Sequence, residues 1–310
     1  MFTAFFVYFE LYTDYEKIKM KTKLLLFLLA IVLISCSKKE KQPKEKIGYN
    51  KGSVAIVTDD SFKSVTQAMA DAYMINYPET SVSVKVQKED MAFLDLLKNK
   101  SKLIVMSRSL SPQEIAEYER VIDLKFNPAK FAADAVVFVA PINSSRTSVD
   151  VKEIEQMLSS TEKQIIFDGT NSGNLNFVAQ KFNKKPSDLQ FSIISGNANV
   201  IRELNKYPSK VGAISLNTIS RPYGTDAQNL RKMVKILPVT ENGKMFEPTA
   251  ENLRQLQYPF TRILYLLTNE GNFGIANGII RFACTQLGQM VVEKEGLQPY
   301  NIFRREVQMN

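Results

Sequence analysis

The chain has 310 residues, 45% of them hydrophobic, enough for one large domain or two moderate ones with buried cores. Lys and Arg exceed Asp and Glu by eight, but half of that excess falls in residues 1–46; the remainder is only mildly basic, and no basic run interleaved with aromatics suggests a nucleic-acid surface. There is no histidine, which excludes Ser-His-Asp and Cys-His catalysis and histidine-ligated zinc, and Cys36 and Cys284 are the only cysteines.

Lys21 and Lys23 precede the apolar run Leu24 to Ile34, which is too short to span a bilayer comfortably and reads as the core of a signal peptide. Leu33-Ile34-Ser35-Cys36 then resembles the bacterial lipobox, which implies acylation of Cys36 as the mature N-terminus. Met20-Lys21-Thr22-Lys23 is a normal signal-peptide opening, so the expected start is Met20 and residues 1–36 form the leader. Residues 37–49 are charged, with little to bury, and read as a tether. An acylated Cys36 leaves no disulfide, and Cys284, within Phe282-Ala283-Cys284-Thr285, is expected as a small core residue.

From Val54 onward short apolar runs alternate with helical patterns. Strands are expected at 54–58, 82–86 and 103–106, with helices at 62–77 and 91–97 between them. Ser111-Pro112-Gln113-Glu114 combines a capping serine, a proline at the first helical position and a glutamate three residues on, which predicts a helix start. The rhythm continues with strands at 135–140, 165–167, 191–194, 211–216, 236–239 and 262–267, and helices at 151–158, 175–182, 198–204, 250–256 and 275–292. Such alternation predicts an α/β protein with mostly parallel sheets flanked by helices.

In such sheets ligands bind beyond the carboxyl ends of strands, where helix N-termini direct unpaired N–H groups at an anion. Three segments fit. In Thr58-Asp59-Asp60-Ser61-Phe62, Ser61 either caps the next helix or offers hydroxyl and backbone donors to a ligand. In Ser107-Arg108-Ser109-Leu110, Arg108 is either an oxyanion grip or an exposed structural arginine. Asp168-Gly169-Thr170-Asn171-Ser172-Gly173-Asn174 is a strand-to-helix turn able to form an anion nest, or simply a turn. Gly-Lys-Ser and three-glycine fingerprints are missing, which disfavours nucleotides.

Together these residues resemble the phosphate-binding component of bacterial phosphate ABC importers, over roughly residues 52–300. Asp60-Ser61-Phe62 resembles that family's first ligand loop, Ser107-Arg108-Ser109-Leu110 its second, and Asn171-Ser172-Gly173-Asn174 its Ser-Gly-Thr turn. Glu247-Pro248-Thr249-Ala250-Glu251-Asn252-Leu253, Tyr258-Pro259-Phe260-Thr261-Arg262, Gly288-Gln289 and Gly296-Leu297-Gln298-Pro299 add to the likeness. The resemblance implies a two-lobed type II periplasmic-binding-protein fold, with lobe 1 at 50–135 plus 262–310, lobe 2 at 136–261, and two hinge crossings near 135–139 and 262–266. It implies a monomeric lipoprotein on the extracytoplasmic face that delivers phosphate or a similar oxyanion to an ABC permease. No cofactor, metal or catalytic residue is expected.

The chain departs from the family at Ser107, where an acid is usual, at Asp168, where an arginine is usual, and at Glu89 or Asp90, where a serine is usual. The departures suggest that Arg108 supplies the displaced positive charge and that Asp168 orients it or accepts a ligand proton. Two rivals are a serine-lysine hydrolase built on Ser160 and Lys163, disfavoured because that pair precedes a strand, and a sensor or scaffold that keeps the fold with another ligand or none.

Overall fold

A computed structural model describes residues 48–301. The signal peptide, Cys36 and nearly all of the tether lie outside the described residues. Among those described, no helix is long and apolar enough to cross a membrane.

The first lobe opens with β1 (Gly52–Thr58), which pairs in parallel with β2 (Thr80–Val86) and β3 (Leu103–Met106). Strand residues alternate between two buried faces. Ile56, Leu103 and Val105 join the main core, whereas Val57, Ile104 and Met106 join a second cluster with Phe93 and Tyr118. Helices α1 (Lys63–Asn76), α2 (Glu89–Leu97) and α3 (Pro112–Ile122) follow these strands. The expected capping box is present in α3: Ser111 Oγ accepts from Glu114 N at 3.2 Å, and the Glu114 carboxylate accepts from Ser111 N at 2.8 Å.

The long strand β4 (Ala129–Pro141) joins the two lobes. Chain order continues with β5 (Val149–Asp150), α4 (Val151–Ser159), β6 (Ile165–Phe167), α5 (Gly173–Lys181), β7 (Ser192–Ile193), α6 (Asn197–Glu203), β8 (Val211–Ser215), α7 (Asn217–Ser220) and α8 (Thr225–Arg231). Next come β9 (Val234–Leu237), β10 (Val239–Glu241), β11 (Lys244–Phe246), α9 (Ala250–Arg254), β12 (Thr261–Thr268), α10 (Ile275–Ala283), α11 (Gln286–Lys294) and β13 (Gln298–Pro299). The main sheet runs β2-β1-β3-β12-β4-β8-β6-β7, with β9 and β13 also on β4. Its two ends are parallel, and the strands meeting at β4 are antiparallel.

Residues 129–135 of β4 pair with β12, and residues 136–141 pair with β8 and β9, so this strand passes from one half of the sheet to the other. β12 pairs only with β3 and the first half of β4, which puts the return just before it, where Val136 N donates to Phe260 O at 3.1 Å. At this junction Arg262 and Asp134 face each other in register, fully buried, with Arg262 Nε and Nη2 at 2.9 and 2.7 Å from Asp134 Oδ2.

One expected element divides. The helix predicted over 275–292 breaks between α10 and α11, because Thr285 Oγ1 donates to Phe282 O at 2.6 Å and accepts from Gly288 N at 3.3 Å. A threonine hydroxyl competing for backbone groups in this way ends one helix and caps the next. Cys284, at that break, is only half-buried and a free thiol, not the core residue expected.

Candidate functional site

The carboxyl ends of β1, β3 and β6 lead into the loops singled out in the sequence, and these meet in the cleft between the lobes. Asp59 lies at their centre and is fully buried. Its Oδ1 accepts from Ser61 N at 3.0 Å, and its Oδ2 accepts from Glu89 N at 3.2 Å and Gly173 N at 3.3 Å. Glu89 and Gly173 are the first residues of α2 and α5, one helix from each lobe. A carboxylate therefore sits where two helix N-termini converge, a position suited to an anion.

Lys88 reaches across the same cleft. Its ammonium contacts Asp60, lies 2.6 Å from Asp168 Oδ2 and is 3.8 Å from Asp59. The three aspartates bring their oxygens within 4.8 Å of one another, a composition that would also suit a metal, and the lysine supplies the neutralising charge. Asn197, at the start of α6, closes the opposite side: its backbone N–H and Nδ2 both donate to Asp60 Oδ2 at 2.9 Å, and Nδ2 also reaches Ser61 Oγ at 3.1 Å.

Electrostatics follow from this crowding. Burial, reinforced by the Asp168 charge, pushes the Asp59 carboxyl up to about 8. Burial also raises Asp168 despite the nearby Lys88 charge, and raises Glu89 against the pull of Arg108. Asp60 moves the other way: burial opposes it, but Lys88 and Asn197 hold it below the usual carboxylate range. Burial works against the Lys88 charge, and the three aspartates outweigh it, so Lys88 stays charged.

Several sequence expectations change here. Ser61 does not cap α1; Asp59 caps the short turn before it, and Phe62, the residue preceding α1, makes no capping bond through its side chain. Phe62 is fully buried and its ring lies under the Arg262 guanidinium at 4.6 Å, so it supports the hinge. Arg108 is neither exposed nor free: its side chain is 12% exposed, with Nη2 3.0 Å from Asp90 and 2.7 Å from Glu114. Asp168 does not orient Arg108; its contacts are Lys88, Asn174 at 2.9 Å and Asn197 at 3.3 Å.

Ser107 turns its backbone N–H and its hydroxyl, at 2.9 Å, toward Glu89 Oε1. The other oxygen, Glu89 Oε2, has no hydrogen-bond partner among the described residues. Ser172 caps α5 through Leu175 N at 3.3 Å, and Asn174 bridges Asp168 and Asn197. Asn171 is exposed on the turn, outside this network. A Cβ on Gly173 would stand 2.9 Å from Ser107 Oγ and 3.3 Å from the Phe62 ring, so only glycine lets the lobes approach this closely. Ser160 and Lys163 lie in a surface turn where Ser160 Oγ accepts from Glu162 N, away from the cleft.

Sequence reading missed the roles of Asp59, Lys88 and Asn197. For Asp59 a signal existed: paired aspartates directly after a buried strand and before a helix are placed to meet amides. For Lys88 none existed, because its partners are distant in sequence.

In comparison with known proteins, the profile of the PBP superfamily domain matches residues 45–285. A putative phosphate ABC transporter substrate-binding protein from Clostridium perfringens, solved with bound phosphate, is 19% identical with a TM-score of 0.65, over 80% of this chain and 99% of that one. An ABC-type phosphate transport receptor from Vibrio cholerae is 16% identical with a TM-score of 0.60, over 80% of this chain and 100% of that one. PstS from Borrelia burgdorferi is 21% identical with a TM-score of 0.52, over 80% of this chain and 99% of that one. A search of curated proteins gave no match. The likeness to the solved structures is one of fold, and with the profile spanning most of its length this chain belongs to the PBP superfamily, with the type II periplasmic-binding-protein architecture.

Proposed function

We propose that the protein is an extracytoplasmic solute-binding protein that captures a small oxyanion, phosphate first among candidates, for uptake through an ABC permease. Acylation of Cys36 would hold it on a membrane, with residues 37–49 as the tether. The observation that carries this reading is the cradle around Asp59: backbone amides drawn from both lobes converge on its carboxyl oxygens. The Clostridium perfringens relative with its bound phosphate and the phosphate transport receptor from Vibrio cholerae support the same ligand class.

An incoming oxyanion must take the place of the Asp59 carboxylate and meet Glu89 and Asp168 close by. Burial raises all three of these acids, and only while they hold their protons is a dianion spared their repulsion, so capture weakens as they ionise. Phosphate is expected to bind more tightly at pH 6 than at pH 8, with protons taken up on binding, as measured by calorimetric titration of the chain from residue 47 after denaturing and refolding to strip bound solute.

A second reading draws on the same geometry. Lys88 and Arg108, the cations lining the cleft, are both already paired. A cleft closed on its own charges would suit a sensor or scaffold instead. No heat with phosphate, sulfate or molybdate at either pH would overturn oxyanion capture and favour this second reading.

A further inference from the structure

Beside the cradle, a groove of about 680 Å³ runs between the first turn of α1 and the helices α6, α7 and α8. Its walls include Lys63, Arg202, Arg221, Asn217 and Thr218. Asn217 is 1% exposed; its Oδ1 accepts from Val65 N at 3.3 Å and its backbone N–H donates to Asp134 Oδ1 at 3.0 Å. Its Nδ2, however, has no hydrogen-bond partner among the described residues, and neither has the buried Thr218 Oγ1 beside it. A buried donor left unpaired costs about 1–3 kcal/mol. Two such groups in one wall point to a ligand rich in acceptors.

The charges around them have the matching sign. Lys63 is exposed at the start of α1, a helix of 14 residues. Arg202 is exposed on α6, and Arg221, which binds Glu295 through Nε and Nη2, shows no bond from Nη1 among the described residues. Of the two acids in the walls, Asp60 is committed to Lys88 and Asn197, which leaves Asp226. The three terminal oxygens and double charge of a phosphomonoester match these donors and cations more fully than the two oxygens and single charge of a carboxylate. The groove is also much larger than an inorganic oxyanion needs, and Ser64, Gln67 and Thr225 give the rest of it a hydroxyl and amide lining.

We propose that this groove binds a sugar or polyol phosphomonoester, with the phosphate on Lys63, Arg202, Asn217 and Thr218 and the polyol along the polar wall. The proposal rests on the solute-binding reading but not on which anion enters the Asp59 cradle. Because its walls come from both lobes, occupancy of the groove favours the closed form.

Glucose 6-phosphate, glucose and inorganic phosphate serve as probes in calorimetric titrations of the wild-type chain, of Lys63→Glu/Arg202→Glu, and of Asp59→Ser. Both charge reversals are on exposed side chains, and a glutamate at position 63 favours the helix N-terminus, so the double variant is expected to unfold at the wild-type temperature. Glucose 6-phosphate is expected to bind the wild type with Kd below about 1 mM, at least tenfold more weakly to the double variant, and undiminished to Asp59→Ser, with glucose silent. In NMR spectra the Asn217 side-chain amide shifts with glucose 6-phosphate and not with glucose. Absence of binding, equal binding to the double variant, or an unmoved Asn217 amide overturns the proposal. Inorganic phosphate titrated into the double variant, whose groove is disabled, reports on the cradle, so the two readings fail separately.

Discussion

Asp59 holds the position that an oxyanion would take, and replacing its carboxylate tests that directly. Asp59→Ser removes the competing acceptor from the amides, and is expected to tighten phosphate binding at pH 7 by at least tenfold, about 1.4 kcal/mol, in a calorimetric titration. Unchanged or weaker binding would mean that the cradle is not the anion site. The Arg262 and Asp134 pair carries a different expectation. Removing one partner of a buried ion pair strands the other charge, so Arg262→Ala is expected to lose about 3–5 kcal/mol of unfolding free energy in denaturant melts. The residues that touch the cleft were partly legible: Ser61, Ser107, Arg108 and Ser172 were found from strand-end placement. What each one bonds was not, because the choice of Lys88 over Arg108 as the partner of Asp168 depends on lobe closure, which local sequence does not encode.

Pairing at the level of elements was easier to anticipate, because buried strands advertise themselves. Leu103–Met106 and Ile165–Phe167 are short, apolar and fully buried, and their bounds match the expectation. The misses have local causes. β4 begins at Ala129, six residues before the expected start, because Ala-rich residues with a buried Asp134 lack strand propensity and are held by pairing with β12. The run expected at 236–239 divides into β9 and β10, and β10 turns into β11 through Asn242 and Gly243, both at positive φ (52° and 77°). Asn-Gly between short strands is the signal for that hairpin. At the cleft, Gly173 at the head of α5 sets how closely the lobes meet. Gly173→Ala is expected to hold them apart, seen as a larger radius of gyration in X-ray scattering without ligand; an unchanged radius would mean that Ser107 and Phe62 yield.

Across the whole molecule, the buried acids tie stability to pH. Asp59 has a pKa of about 8 in the fold against 3.8 ordinarily, so its protonated form contributes stability that is full below about pH 4 and is lost as pH rises through about 8. Glu89 and Asp168 are raised as well and act in the same direction. Asp60 is lowered, so its contribution is present above 3.8 and fails only as pH falls through its depressed pKa. Unfolding free energy is therefore expected to fall between about pH 5 and pH 8, and Asp59→Asn is expected to flatten that slope. A wild-type profile that rises over this range would contradict the burial of neutral acids. The two-lobed α/β architecture was legible from strand and helix rhythm and from the family resemblance. The self-occupied cleft was not, since it arises only when β4 and the return at 258–261 bring both lobes together.

The most direct test of oxyanion capture is a crystal structure of the chain grown with phosphate. The expected result is tetrahedral density within hydrogen-bond distance of Glu89 N and Gly173 N, with the Asp59 carboxylate turned away from them. Asp59 still seated on those amides at saturating phosphate, with no anion between the lobes, would contradict it.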